Sequence, residues 1–402
     1  MFAVKRRLKL NNQEKAKFSS YAGFSRFVYN YGLSLFWQSI DAGFKASDAK
    51  RLGAIKKCFT NITKKREGFE WTQELSSRVY QSTFQSLGEA VKRWRKGLGE
   101  KPAYKRRKDK RSFTICDGNG KVLVKQGKTI KIPTLGTFRL QESLTESYMS
   151  QTFTLSCDAG EWFVAFCVDA ERIPPILHEV AEPVGIDLGI NVFAKISDGT
   201  ELEAPKPLKK AIIKLRKLQY HNRNKKFGDR RAGEQASNNA KKYFKKVARL
   251  HRDIANQRKD FLNKTTTDIC RKYAHIRIED LNVSGMIANR KLCKAISDLG
   301  FYEFRRQLTY KAPSFGCWLD IVDRWFPSSR MCRQCTEKHS GLTLSDRTFV
   351  CPSCGYAEDR DLQASKNLAD APDELCSRVG SPRTYTPADK KQPTALDETG
   401  IL

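Results

Sequence analysis

Four cysteines stand in two C-x2-C pairs, Cys332/Cys335 and Cys351/Cys354, with fifteen residues between the pairs. Two thiolate pairs on tight turns can close a tetrahedral Zn²⁺ shell, and Pro352 and Gly355 suit the second turn. Four thiolates leave no open coordination position. One structural Zn²⁺ is therefore expected, with His339 between the pairs not needed as a ligand. The remaining cysteines, Cys58, Cys116, Cys157, Cys167, Cys270, Cys293, Cys317 and Cys376, are scattered singly, mostly among apolar neighbours. They read as small buried hydrophobes of a reduced compartment rather than as disulfide partners.

Three acids form a second chemical group. Asp187 ends the apolar run Val184-Gly-Ile, Glu279 ends Ile276-Arg-Ile278, and Asp361 follows the second cysteine pair in Asp359-Arg-Asp361. Taken singly, they read as a turn residue, a surface acid and a helix N-cap. A carboxylate that ends a buried strand nevertheless needs a donor, a cation or a metal. Together the three could converge on two Mg²⁺ ions about 4 Å apart, an arrangement that supplies an activated water and a stabilised leaving 3′-oxygen for phosphodiester hydrolysis.

The elements that must present these residues follow from the hydrophobic period. Residues 2–10 alternate weakly as a strand. From about residue 20 to 94 the spacing is helical, with Phe24, Phe27, Val28 and Leu33, then Tyr80, Phe84, Leu87 and Val91. Residues 112–168 turn to period two, with no helix between the strands, and predict a small antiparallel barrel that the first strand joins. A Pro-rich stretch at 171–183 marks a boundary. Beyond it come strand–turn–strand around Asp187, two long helices marked by Leu208, Ile212 and Leu215 and by Tyr243 to Phe261, a short strand at 276–279 and a helix over 301–311. The tail from 371 to 402 is expected to stay disordered.

The charge identifies the partner. Across 402 residues, 74 Lys+Arg against 44 Asp+Glu leave +30, which calls for a polyanion, and nucleic acid is the leading one. Residues 91–111 hold eleven basic and two acidic residues, including Lys101 and the run Lys105-Arg106-Arg107-Lys108 beside Trp94, Tyr104 and Phe113. Basic and aromatic residues interleaved in this way suit a groove that tracks a backbone. Residues 206–226 carry nine basic residues and no acid, with Lys214, Arg216 and Lys217 on the outer face. No stretch of eighteen apolar residues occurs and no apolar segment follows the basic start, so neither membrane spanning nor secretion is expected.

These motifs, in this order, resemble the transposon-encoded TnpB proteins, relatives of the type V CRISPR (Cas12) nucleases, over nearly the whole chain. Ser25-Arg26-Phe-Val-Tyr29-Asn30 is similar to the family's R-F-V-Y-N segment, and Lys101-Pro-Ala-Tyr-Lys105 to the stretch that closes its helical insertion. Ile132-Pro-Thr-Leu-Gly136 resembles its I-P-x-L-G turn. Gly185-Ile-Asp187-Leu-Gly-Ile190, Ile278-Glu279-Asp-Leu281 and Asp359-Arg-Asp361 resemble the three RuvC motifs. Phe326-Pro-Ser-Ser leading to Cys332 resembles the segment ahead of the zinc ribbon. Two departures stand out: Gln363 where the third motif commonly has Asn, and Thr336 after Cys335 where Gly is common. Neither removes a carboxylate or a thiolate.

The resemblance implies an α/β RNase H-like (RuvC) nuclease core over 182–330 and 356–370 with an inserted four-cysteine zinc ribbon at 331–355. An antiparallel β-barrel wedge domain at 1–20 and 105–175 would precede it, carrying an inserted helical recognition domain at 21–104. It further implies RNA-guided cleavage of double-stranded DNA beside a short motif. Asp187, Glu279 and Asp361 would hold two Mg²⁺, and Arg26, Tyr29, Asn30 and the basic residues named above would contact nucleic acid. The partners would be a noncoding guide RNA and the DNA target, the protein a monomer, and its setting the prokaryotic cytoplasm near the nucleoid. A compact CRISPR effector and a non-cleaving RNA-guided repressor or transposition accessory are the alternative readings. An RNA-independent junction resolvase shares the core chemistry but does not account for about 170 residues ahead of the core.

Overall fold

The computed structural model describes residues 2–107, 111–168, 178–229, 232–343 and 346–379. The chain forms two compact units that divide between Glu171 and Arg172, inside the Pro-rich boundary. No described helix is long and apolar enough to cross a membrane.

The first unit opens with β1 (Phe2–Lys9), α1 (Asn12–Asp41), α2 (Asp48–Asn61) and α3 (Ser77–Arg95). A capping box starts α1: the Asn11 side chain accepts the Glu14 N–H and the Glu14 carboxylate accepts the Asn11 N–H, each at 2.8 Å. The strands β2 (Arg111–Cys116), β3 (Val122–Val124), β4 (Gly127–Ile132), β5 (Gly136–Leu144), β6 (Tyr148–Ser150), β7 (Thr152–Asp158) and β8 (Glu161–Val168) follow. Six of the strands form one sheet in the order β2-β7-β8-β1-β5-β4, and β3 pairs with β6 as a separate ribbon. Among the described residues this sheet is open, which corrects the closed barrel expected from the sequence. β1 pairs with β8 over Phe2–Arg7 and then with β5 at Leu8–Lys9, so the sheet bends. The terminal strands β2 and β4 do not meet, and β2 packs instead against α1 and α3. One core serves helices and strands alike: Phe18 on α1 lies 4.9–5.7 Å, centroid to centroid, from Phe113, Phe138 and Trp162 on the sheet.

The second unit begins with β9 (Val180–Leu188), β10 (Ala194–Ile196) and β11 (Glu201–Leu202), then α4 (Pro207–His221) and α5 (Asn238–Lys272). Next come β12 (Tyr273–Glu279), α6 (Val283–Ala288), α7 (Cys293–Leu299), α8 (Phe301–Phe315) and β13 (Trp318–Val322). The unit ends with β14 (Thr348–Val350), β15 (Ala357–Asp359), α9 (Arg360–Ala369) and β16 (Cys376–Val379). Its main sheet runs β11-β10-β9-β12-β13-β16, with β9, β12 and β13 parallel. The parallel strands are apolar runs (Val184, Ile186; Ile276, Ile278; Leu319, Ile321) covered by Phe301, Phe304 and Leu308 of α8 and by Ile269 of α5.

β16 lies within the tail expected to be disordered from residue 371. Residues 376–379 instead form the edge strand of the sheet, with Leu319 opposite Val379 and Val322 opposite Cys376. The reason is electrostatic. Asp320 is fully buried, and Arg378 reaches it at 2.8 and 3.1 Å while His275 Nε2 lies 2.6 Å away. Residues 380–402 lie outside the described residues. Of the scattered cysteines, Cys157, Cys270 and Cys317 are buried as expected, whereas Cys167 is exposed because the alternation of β8 turns it outward.

Candidate active site and metal centre

Parallel pairing fixes two of the three acids. Ile186 on β9 faces Ile278 on β12, so one step further along both strands Asp187 and Glu279 end side by side at the C-terminal edge of the sheet. Asp361 comes from α9, which lies across β9 at Gly185. A Cβ on Gly185 would sit 1.9 Å from the Ser365 carbonyl oxygen and 2.5 Å from the Ala369 nitrogen, so only glycine lets the helix approach this closely. Asp359, not Asp361, is the N-cap, accepting the Leu362 N–H at 2.9 Å. Asp361, in the first turn, is left for other work.

Asp187 feels the charge of the other two acids. Burial, then the charges of Asp361 and Glu279, push the Asp187 carboxyl up to about 7, with Arg360 and the Leu188 N–H opposing. Burial, followed by Asp280, raises Glu279. Asp280 itself is held low by Arg324, which donates from Nε at 3.1 Å, and by Arg305. Lys195 on β10 pairs directly opposite Asp187 and lies 3.9 Å from Asp359 while engaging Glu201. Lys195 and the Asp280–Arg305–Arg324 cluster escaped the sequence reading. The adjacency of Asp280 to Glu279 was the available signal for the cluster; Lys195 had none, because its place depends on strand pairing.

The cysteine pairs come together. Cys332 Sγ lies 3.6 Å from Cys354 Sγ and Cys335 Sγ 3.6 Å from Cys351 Sγ, and all four lie within 4.8 Å of one another. A tetrahedral Zn–S shell has S···S edges of about 3.8 Å, whereas a disulfide needs about 2 Å. Among the described residues no other set of three or more ligand-type side chains gathers as tightly, the three acids included. His339 stays outside, its Nδ1 accepting the Gly341 N–H. The two knuckles are built alike. Thr336 N donates to Cys332 O at 2.9 Å and Gly355 N to Cys351 O at 3.0 Å, with φ of 61° and 74°. Thr336 therefore occupies a left-handed position that its Gly counterpart adopts without strain.

The hairpin β14–β15 links this centre to the acids, since β15 runs straight into α9. Gln363 is fully buried, and its Nε2 donates to Met331 O. Asn367 Nδ2 donates to Ser328 O at 2.7 Å and to Met331 O at 2.8 Å. The departure at Gln363 therefore touches the backbone leading into the first cysteine pair.

The expected nucleic-acid contacts separate into two kinds. Tyr29 is buried, with Lys105 Nζ 4.0 Å over its ring, and the Asn30 side chain bonds both the N–H and the carbonyl of Lys105. These residues fasten the 105 segment to α1. Lys101, Arg106 and Arg107 are exposed, as are Lys214, Arg216 and Lys217 on α4, and Arg26 is half-buried. Lys108 lies outside the described residues.

Comparison with known proteins places this arrangement. A family model described as "Probable transposase" matches residues 165–290, and one described as "Cas12f1-like, TNB domain" matches 301–368. A "Helix-turn-helix domain" model matches 1–41, of which residues 2–41 fold here as a strand and one continuous helix. The chain is 30% identical to the putative RNA-guided DNA endonuclease InsQ of Escherichia coli K12, over 98% of this chain and 99% of that one. It is 32% identical to a putative RNA-guided DNA endonuclease of Streptomyces pristinaespiralis, over 91% and 88%. A cryo-EM structure of a Cas12f1–sgRNA–target DNA complex shares the fold, with a TM-score of 0.57 and 13% identity over 90% of this chain and 83% of that one. The chain belongs to the TnpB/OrfB/Cas12f family of RNA-guided nucleases.

Proposed function

We propose that this protein is an RNA-guided, metal-dependent endonuclease that cuts double-stranded DNA beside a short motif, passing each strand through one site built on Asp187, Glu279 and Asp361. The observation that carries the reading is Asp187, half-buried at the end of β9 beside Glu279 at the end of β12, its carboxyl pushed up to about 7 by desolvation and by the charges of Asp361 and Glu279. Such a carboxylate calls for a cation, and oxygen donors suit Mg²⁺. Asp187, Glu279 and Asp361 would hold two Mg²⁺ ions there, and the chemistry these would supply is Lewis-acid stabilisation and water activation. The chain's own residues do the rest. Arg305 and Arg324, fixed by Asp280, offer cationic donors to the phosphates next to Glu279. The four thiolates would hold one Zn²⁺, which would keep the β14–β15 hairpin, and with it the start of α9, in place. In this reading residues 1–20 and 105–175 form the wedge, 21–104 the recognition region, 331–355 the ribbon, and 182–330 with 356–370 the nuclease. The partners are a noncoding guide RNA and the DNA target, and the protein is a monomer in that complex.

The test is to co-express the chain with its native 3′ flanking DNA, sequence the copurifying RNA and challenge the complex with a target library in Mg²⁺. A defined RNA with cuts beside one motif is expected. Asp187→Ala and Glu279→Ala should each lower cleavage by more than about 10²-fold while guided binding persists. Substantial cleavage by both variants would remove the site assignment, and absence of a specific RNA would remove the guided reading.

A further inference from the structure

Trp325 is 84% exposed, more than any other large apolar side chain among the described residues. An isolated exposed aromatic needs no explanation by itself, but this one is held in place and has informative neighbours. The turn after β13 is fixed by Asp323, whose side chain accepts the Trp325 N–H at 2.8 Å and whose carbonyl accepts the Phe326 N–H at 3.0 Å. Asp323 N in turn donates to Leu375 O at 2.8 Å, and Phe326 packs inward against Val322, Leu368 and Ala371. The indole is thus presented outward from a tethered turn.

The turn leaves the sheet beside the acids. Val322, the last residue of β13, is the register partner of Glu279, and its carbonyl accepts the Asp280 N–H at 3.1 Å. Arg324, next to Trp325, and Arg305 both engage Asp280, yet 43% and 39% of their side-chain surfaces stay exposed. An open aromatic face next in sequence to one part-exposed arginine, which shares its Asp280 partner with a second, suits single-stranded nucleic acid, the ring stacking on a base and the arginines meeting the phosphates.

We propose that Trp325, with Arg324 and Arg305, forms a stacking clamp that captures one nucleobase of the DNA strand entering the acidic site and sets the scissile phosphate over Glu279. Trp325 touches the substrate away from the reacting atoms and so acts as a positioning residue. The inference rests on the nuclease reading above for the identity of that strand.

The test uses the full-length chain with its copurified RNA, as wild type, Trp325→Ala and Trp325→Phe. Single-stranded DNA carrying one 2-aminopurine at successive positions is titrated in, and cleavage of the same strands is followed in parallel. Wild type should quench the fluorophore at one position near the cut. Trp325→Ala should abolish that quenching and raise KM about 5- to 150-fold with a smaller change in kcat, and Trp325→Phe should restore most of both. Capture and cutting by Trp325→Ala at wild-type levels would overturn the clamp. So would a change confined to the sedimentation of the protein, which would make this face a contact between copies of the chain. Wild-type quenching at Trp325 without RNA-guided cutting would refute the guided reading and leave the clamp standing.

Discussion

Asp187 shows how one half-buried side chain ties stability to activity. Its carboxyl, lifted from 3.8 to about 7, keeps a proton in the folded protein where the unfolded chain has lost it. The stability this contributes is fully present below about pH 4 and is lost as pH rises through about 7. Urea unfolding in Mg²⁺-free buffer should therefore show the wild type losing roughly 2 kcal/mol between about pH 5.5 and 8. Asp187→Asn should show no such loss, and an equal loss in the variant would place the titration elsewhere. A second residue-scale prediction concerns Thr336, a β-branched residue at φ 61° in a knuckle whose twin uses Gly355. Thr336→Gly should stabilise the ribbon by about 1 kcal/mol, read as a higher chelator concentration for zinc release. Unchanged or easier release would show that the Thr336 hydroxyl bond to Cys335 O offsets the strain.

At the scale of elements, the site depends on how closely α9 approaches β9. Gly185→Ala places a methyl group against the α9 backbone, which cannot yield as a flexible side chain would. The helix must shift, and Asp361 shifts with it. Cleavage should fall sharply while guided binding persists, with a destabilisation of about 1–3 kcal/mol by thermal unfolding. Full activity would mean that α9 tolerates displacement and that Asp361 is not placed by this contact. Arg277, between Ile276 and Ile278 on β12, braces the other end of the helix. Its Nη1 donates to the carbonyls of Ala369 and Ala371 at 2.8 and 2.7 Å, and its Nη2 engages Asp373. The strand that carries Glu279 thus also holds the helix that carries Asp361.

For the molecule as a whole, +30 charges dictate steep salt dependence. If Lys214, Arg216 and Lys217 on the exposed face of α4 meet phosphates, replacing all three by Ala should lower the slope of log K against log[salt] by about 2 for single-stranded nucleic acid. Fluorescence anisotropy across about 50–200 mM salt measures it, and an unchanged slope would assign that face to solvent.

The four-cysteine cluster, the acids that end the strands and the order of the elements are written in the chain itself, because thiolate spacing, an acid ending an apolar run and hydrophobic period are local properties. Asp187 and Glu279 were legible as candidates for that reason, Asp361 by its place after the second cysteine pair, and the boundary near 171 by its prolines. What a residue meets across the fold was not legible. The open sheet follows from β1 changing partners between Arg7 and Leu8, a non-local choice that period-two alternation does not encode. The same holds for Tyr29 and Asn30, whose engagement with Lys105 is made in Asn30's case across seventy-five residues. Residues 376–379 look like a loose polar tail until Asp320, buried on the neighbouring strand, requires Arg378. Lys195 and Trp325 acquire meaning only from strand register and turn position. Tertiary structure decided these points because a buried charge or an unpaired strand edge is satisfied by whichever group the fold brings near, however distant in sequence.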